Sequence, residues 1–393
     1  MTNACFLDED HRQLGPLKRL LRQYTRDGIV LFLGAGVSVE SGIPNWDALA
    51  DALLLKALTG EGLEAVKRAL PSHISRFEFA GKRLGTRRFV EELYAALYGG
   101  MGCKSLIEGI PVKRRAQETW VGWQSVADAL GANRTLAAIG DLLILKEGAG
   151  FRRNPQVHSV LTSNADNLLE LYCMAKTGGR HALNSVDRAS VGDHPNQTPI
   201  YHLHGFLDAR SEIGLKSHLP AEGESQAAEF PTELLPDLIF RESDYYRTIA
   251  SPSSFVNHTP QSLLRRLNAV FVGTTLEDLN MRRWLYDAFR ERTVHRAKYL
   301  RQLYQLPYDA AEDEAAITSR RHFWLRTKAE ADKADQAKRW DVPHAPVDEV
   351  MAALGIQVVW CDSYVQLQER IDWIRSKGTL PTFGRASAEF RRS

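Results

Sequence analysis

Residues 28–57 read GIVLFLGAGVSVESGIPNWDALADALLLKA, and this stretch constrains the fold more than any other part of the chain. The five apolar residues 29–33 are too few for a buried helix. Their length and β-branched pair suit a strand covered on both faces. A turn with Gly34, Gly36 and Gly42 follows at once, and Pro44 precedes a periodic stretch that reads as a helix. A buried strand leading through a glycine turn into a helix belongs to open parallel sheets.

The rest of the chain repeats that alternation. Residues 15–25 read as a short amphipathic helix ahead of the first strand. Residues 59–145 carry mainly helical patterning, with Leu70, Phe77, Phe79, Phe89, Val90, Leu93 and Leu97 as candidate internal positions. Further strands are expected at 157–161, 199–203 and 269–272, each followed by a turn or helix, with a last strand at 356–362 after a helix over 346–355. Residues 297–306 are ambiguous and are taken as another strand. The polar stretch 213–236 reads as a loop or lid, 244–267 as helical but broken near Pro252, and 326–339 as an exposed charged helix.

The fold class expected is α/β, a Rossmann-like parallel sheet with helices on both faces and a helical subdomain. The divisions expected are a helical extension over 1–27, a main domain over 28–305 with the helical subdomain at about 58–150, and a C-terminal segment over 306–393. The charged helix and last strand lie in that segment, and the strand is expected to complete the domain.

Composition excludes several classes. At 393 residues the chain can bury a large core, and 44% hydrophobic with 25% charged residues is ordinary for a soluble globular protein. A net charge of +2 gives no general affinity for nucleic acid. Local basic clusters occur at Lys113–Arg115, at Arg152 and Arg153, and at Arg290, Arg292, Arg296, Lys298 and Arg301. Most such clusters are solvated faces, and a minority meet phosphate, an acidic partner or nucleic acid. The four cysteines, Cys5, Cys103, Cys173 and Cys361, form no CxxC pair, so neither a paired-cysteine zinc site nor a disulfide framework is expected. No run is apolar enough to span a bilayer and the start lacks a signal-peptide pattern. The expectation is a cytoplasmic protein without membrane association.

Four separated segments carry candidate chemistry. The first is GAGVSVESGIP at 34–44, with Gly34, Ala35, Gly36, Ser38, Ser41, Gly42, Ile43 and Pro44. Backbone without side chains can approach a pyrophosphate, and amides at a helix start face its charge. A glycine pair alone marks only a tight turn, but the whole segment is far more specific. The second is TSNADN at 162–167, where Asn164 offers a carboxamide to orient water or a hydroxyl and Asp166 a carboxylate to hold an amide. After a strand, such residues are more often turn or cap residues. The third is YHLHG at 201–205. His202 and His204 share one side of a regular strand, so either one is structural or the strand breaks between them. With no cysteine or carboxylate nearby in sequence, the pair is weak metal evidence. The fourth is GTT at 273–275, where Thr275 also reads as a helix N-cap with Asp278 three residues on.

Together the four segments resemble the sirtuin (SIR2) superfamily, and most closely the SIR2-like NAD hydrolases of prokaryotic antiviral defence systems. The resemblance covers about 28–280. It implies NAD as substrate, bound by Gly34, Ala35, Gly36, Ser38, Ser41, Gly42, Ile43, Pro44, Asp166, Gly273, Thr274 and Thr275. It implies Asn164 and His204 as catalytic residues, with Asp166 in the nicotinamide pocket and His204 favoured over His202 by its glycine neighbour. Departures exist: Ser163 and Ala165 replace glutamine and isoleucine, and Asn45-Trp46-Asp47 keeps the family's aromatic residue but lacks its arginine. The missing arginine and the absent cysteine pairs point to water as acceptor, so that nicotinamide and ADP-ribose are the expected products, with no zinc. NAD loss would serve antiviral defence. A homo-oligomer and a separate partner, such as a HerA-like ATPase or an Argonaute-type protein, are implied. The alternatives are an NAD-dependent protein deacylase, a non-catalytic NAD or ADP-ribose sensor, and a nucleic-acid-binding subunit of a defence complex.

Overall fold

The structure is a computed structural model, and it describes residues 11–60, 62–111, 120–148, 150–180, 183–187, 194, 196–210, 238–251, 254–328 and 345–378. Seven strands form one sheet. They are β1 (Ile29–Leu33), β4 (Val157–Thr162), β5 (Asn184–Val186), β6 (Pro199–His202), β7 (Asn268–Val272), β8 (His322–Thr327) and β9 (Ile356–Cys361). The order is β5-β6-β4-β1-β7-β8-β9, and every pairing is parallel. A separate antiparallel hairpin joins β2 (Ile144–Glu147) to β3 (Gly150–Arg153).

Alternation along the strands sorts side chains into two cores. Ile29, Leu31 and Leu33 of β1 face one side with Val270, Val272, Phe323, Leu325, Val359 and Cys361. Val30 and Phe32 face the other with Ala269, Phe271, Trp324, Val358 and Trp360. Both faces are covered, so these strands read as continuous apolar runs instead of alternating ones. The first face is covered by the helices His11–Asp27, Trp46–Ala57, His73–Tyr98, Trp123–Gly131, Arg134–Leu143, Leu168–Lys176 and Tyr364–Gly378. The second is covered by Phe255–Arg266, Leu279–Tyr304 and Ala345–Ala352. The expected Rossmann-like α/β architecture is therefore present, and the helices of 73–143 pack into the same apolar cluster as the sheet.

Two expectations need correction. Residues 297–304 form no strand: they end the helix Leu279–Tyr304, which Gln305 closes in the left-handed conformation at φ 52°. Ala297 and Leu300 pack on Ala311 and Ala315 of the helix Tyr308–Thr318, so the apolar pattern serves a helix pair beside the sheet. Arg326 and Thr327 do not open a charged helix; they end β8, whose other residues the expected strands omitted. Residues 329–339 of that expected helix and the whole of 213–236 lie outside the described residues.

The chain passes from β1 to β4, then to the edge strand β5, back to β6, and across to β7 on the far side of β1. This reversal next to β1 is a topological switch point. In open α/β sheets it leaves a crevice at the carboxyl ends of the strands.

Candidate active site

Register puts all four motif segments at that crevice. Leu33 pairs with Thr162 on one side and Val272 on the other, and Thr162 pairs with His202. Gly34 and Gly273 thus stand one residue beyond paired strand ends, and Asn164 and His204 two residues beyond.

The glycine segment folds as two short 3-10 turns, Ala35–Val37 and Val39–Ser41. Its glycines are required by protein packing before any ligand is considered. A methyl on Gly34 would lie 2.4 Å from the Gly273 carbonyl oxygen, and one on Gly42, at φ +88°, would lie 2.4 Å from that of Gly100. Backbone bonds seal the contact: Gly34 N–H donates to Val272 at 3.0 Å and Gly36 N–H to Gly273 at 2.9 Å. Ile43 is buried and Pro44 half-buried where the segment runs into the helix Trp46–Ala57, which Asn45 caps by accepting from Ala48 N–H at 2.8 Å.

A residue outside the four segments braces this loop. Asn133 Nδ2 reaches the Val37 carbonyl oxygen at 2.8 Å and Ser41 Oγ at 2.9 Å, while its Oδ1 accepts from Leu136 N–H at 3.0 Å. In sequence Asn133 shows only as a helix cap, and nothing local signals a partner so distant along the chain. Ser41 is thereby engaged with the protein.

Ser38, Asn164 and Asp166 form a buried polar cluster. Ser38 Oγ donates to Asp166 Oδ1 at 3.0 Å, and Asn164 Nδ2 donates to the Gly34 carbonyl at 3.1 Å. Thr162 supports the turn, its Oγ1 accepting from Asn164 N–H at 3.0 Å and donating to the Leu33 carbonyl at 3.2 Å. Burial pushes the Asp166 carboxyl up to about 6, against the hydrogen bonds from Leu168 N–H and Ser38 that favour its charge. Asn164 Oδ1 is buried with no partner among the described residues. A buried acceptor left unpaired is costly in a folded protein, and at a crevice it marks a position for a ligand donor.

The two histidines divide their roles. The strand ends at His202, so the chain turns before His204. His202 is buried, with Nε2 2.6 Å from Glu170 Oε1 and Nδ1 3.3 Å from the Asn164 carbonyl oxygen. Burial opposes its protonation, but the charge and hydrogen bond of Glu170 outweigh this and raise its pKa. Glu170 is the carboxylate partner that the sequence did not show near the pair. It stands in the first turn of the helix Leu168–Lys176.

His204 faces an aromatic enclosure. Trp46 and Tyr245 each meet its ring edge-on at 5.6 Å between centroids, and Trp46 also packs on Phe77 at 6.1 Å and Phe240 at 5.0 Å. His204 is partly exposed as a residue, while its Nδ1 is buried with no partner among the described residues. Burial lowers its pKa to about 4, with Asp278 opposing and His73 assisting. The ring is therefore neutral at pH 7. His73, Phe240 and Tyr245 join the site unannounced by the sequence, since rings of this kind read as ordinary core, and Asp278, read there only as a capping partner, joins them.

The last segment is placed but differs in detail. Thr274 Oγ1 accepts from Leu276 N–H at 3.3 Å, and its carbonyl accepts from Trp324 Nε1 at 3.1 Å. Thr275 is exposed and is not the helix cap. Asp278 caps the helix Leu279–Tyr304, accepting from Met281 N–H at 2.8 Å. Between them Leu276 is buried at φ 55°, a conformation that leucine rarely adopts, within the apolar cluster of the second face.

No group of three or more His, Cys, Asp or Glu side chains able to hold a metal occurs among the described residues, and no described helix is long and apolar enough to cross a membrane. The family model of the SIR2-like domain matches residues 158–343. That span contains Asn164, Asp166, His204 and the Gly273–Thr275 turn, and begins after the glycine segment. No curated protein matches the chain.

Proposed function

We propose that this chain, whose residues 158–343 match the family model of the SIR2-like domain, is an NAD glycohydrolase, cleaving the nicotinamide–ribose bond to give nicotinamide and ADP-ribose. The observation that carries this reading is the pair of buried, unpaired polar atoms, Asn164 Oδ1 and His204 Nδ1, at the carboxyl ends of the adjacent strands β4 and β6. NAD brings hydroxyl and amide donors to such a place, and the glycine segment lies alongside with a helix start behind it.

In this mechanism the C–N bond to nicotinamide breaks with both electrons going to the pyridine nitrogen, which loses its positive charge. The ribose carbon becomes oxocarbenium-like and is attacked by water, which then loses a proton. Asn164 orients that water and a ribose hydroxyl through its carboxamide. Asp166, held by Ser38, accepts from the nicotinamide amide. His204 is neutral at pH 7 and offers a lone pair to a ribose hydroxyl, whose acidity rises as positive charge builds on the ring. A base titrating near 4 is weak in the ground state. It becomes effective as that hydroxyl acidifies, which concentrates its contribution in the transition state.

Water is the proposed acceptor because Asn45-Trp46-Asp47 lacks the family's arginine, and Asp47 is instead ion-paired with the buried Arg76. The proposed biological role is depletion of NAD in antiviral defence, with the enzyme restrained by self-assembly and by a separate sensor component. The test is chromatography of products from NAD, with and without an acetyl-lysine peptide. ADP-ribose formed without peptide supports hydrolysis. Turnover that requires peptide overturns it in favour of deacylation.

A further inference from the structure

Away from the crevice, at the opposite end of the sheet, lies a cleft of about 640 Å3. Three neighbouring strands begin here, and each is preceded by an arginine: Arg26 before β1, Arg265 before β7 and Arg321 before β8. Parallel topology alone brings these to one edge. Arg292 and Arg296, one turn apart on the helix Leu279–Tyr304, complete the set. Among the described residues of the lining, every fixed cation is an arginine and one carboxylate, Glu291, stands among them.

Local pairing leaves a surplus of positive charge. Arg26 is held by Asp27 at 2.8 Å and Arg265 by Glu291 at 3.1 Å. No salt bridge to Arg292, Arg296 or Arg321 occurs among the described residues. Arg292 is the least satisfied. Its Nη1 donates to the Leu264 carbonyl at 2.8 Å, but its Nε is buried without a partner. Its Nη2 lies 3.1 Å from His322 Nε2. His322 is fully buried, and burial together with Arg292 and Arg321 keeps it neutral. Its Nδ1 accepts from Ala269 N–H at 3.0 Å, so the ring proton sits on Nε2 and a donor faces a donor. Glu291, already bridged to Arg265, only partly offsets the cost of burying Arg292 beside Arg321, and an anion in the cleft would offset more of it.

We propose that this arginine-lined cleft is a second ligand site, taking a small phosphorylated molecule of about nucleotide size. Planar guanidinium forks match phosphate oxygens bidentately, which a patch built for solubility does not require. The volume falls within the roughly 300–1,000 Å3 of small-molecule sites, and a concave floor suits a compact ligand better than a flat acidic protein face. Tyr299, half-exposed at the rim, holds the Arg296 guanidinium over its ring at 5.3 Å and so orients that arginine at the cleft. The site is independent of the NAD reading, sharing no residue with the crevice.

Calorimetric titration of the full chain with pyrophosphate, with ATP and with a single-stranded oligonucleotide tests this at about 150 mM salt, where unspecific attraction is screened. The expected result is saturable pyrophosphate and ATP binding, weakened about tenfold or more by Arg296→Glu or Arg321→Glu, which corresponds to about 1.4 kcal/mol. Thr318→Glu, on an exposed lip position, adds negative charge without removing any arginine contact and should weaken binding likewise. Thermal melts of all three variants verify folding. Absence of saturable binding to either small phosphate, equal binding by the variants, or binding of the oligonucleotide alone would overturn the proposal.

Discussion

Asn164 Nδ2 donates to the carbonyl oxygen of Gly34 at 3.1 Å, tying the turn after β4 to the glycine segment after β1. This one bond fixes the carboxamide so that Oδ1 is left free toward the crevice. Asn164→Asp places a carboxylate against that carbonyl. It should lower nicotinamide release more than Asn164→Ser does, because the serine removes the repulsion along with the bond. Steady-state rates of the two variants at equal folding decide it.

Ser38→Ala removes the hydroxyl that donates to Asp166 Oδ1 at 3.0 Å. Leaving a buried acceptor short of a donor should cost about 1–2 kcal/mol of stability. The Asp166 carboxyl, already raised to about 6 by burial, should rise further. If ionised Asp166 binds the substrate amide, kcat/KM falls as pH drops through about 6 in the native enzyme. The same limb should move to higher pH in Ser38→Ala and vanish in Asp166→Asn. A pH–rate profile of the three proteins measures this.

The buried His202–Glu170 pair, at 2.6 Å, supports the strand end that precedes His204. Glu170→Gln should destabilise the fold by about 3 kcal/mol at pH 6, since it leaves a buried imidazolium unpaired or forces it neutral. The folded pKa of His202 is raised, so the native state holds the proton more tightly than the unfolded chain. That contribution is complete below the unfolded value of about 6.5 and is lost as pH rises through the folded one. Denaturant unfolding across pH 5–9 should show the gap between the two proteins narrowing toward the alkaline end.

Gly34→Ala puts a methyl 2.4 Å from the Gly273 carbonyl oxygen, so backbone must move. Turnover should fall at least tenfold with far-UV circular dichroism nearly unchanged, because the displaced groups border the crevice instead of forming the core. Unchanged turnover in Gly34→Ala would show that the loop tolerates the shift.

Much of this was legible in the chain itself, for physical reasons. Short doubly buried runs followed by glycine or polar turns identify β1, β4, β6 and β7, and parallel strands bring their carboxyl ends together whatever the loops do. That is why Asn164 and His204 stand at neighbouring strand ends, with Asn164 reaching Gly34. β8 escaped because His322 and Arg326 interrupt its apolar run. His322 is buried as a neutral ring, and Arg326 stacks on Trp324 and Trp360, at 4.5 and 5.5 Å to the ring centroids. Residues 297–304 misled because Tyr299, Leu303 and Tyr304 stay exposed on a helix, which blurs its period. Asn133, Glu170, Phe240 and Tyr245 carry no local signature of the site. Their roles arise from tertiary neighbours, and only Glu170's carboxylate, in the first turn of the helix Leu168–Lys176, could have been matched to His202.

The central claim is that Asn164 and His204 form one NAD-cleaving centre. It is tested most directly by following nicotinamide release from NAD by the native protein, Asn164→Ala and His204→Ala, with circular dichroism and melting temperature as controls of folding. The account predicts release by the native protein and a fall of about a hundredfold or more in each variant. No release by the native protein, or release undiminished in folded variants, would contradict it.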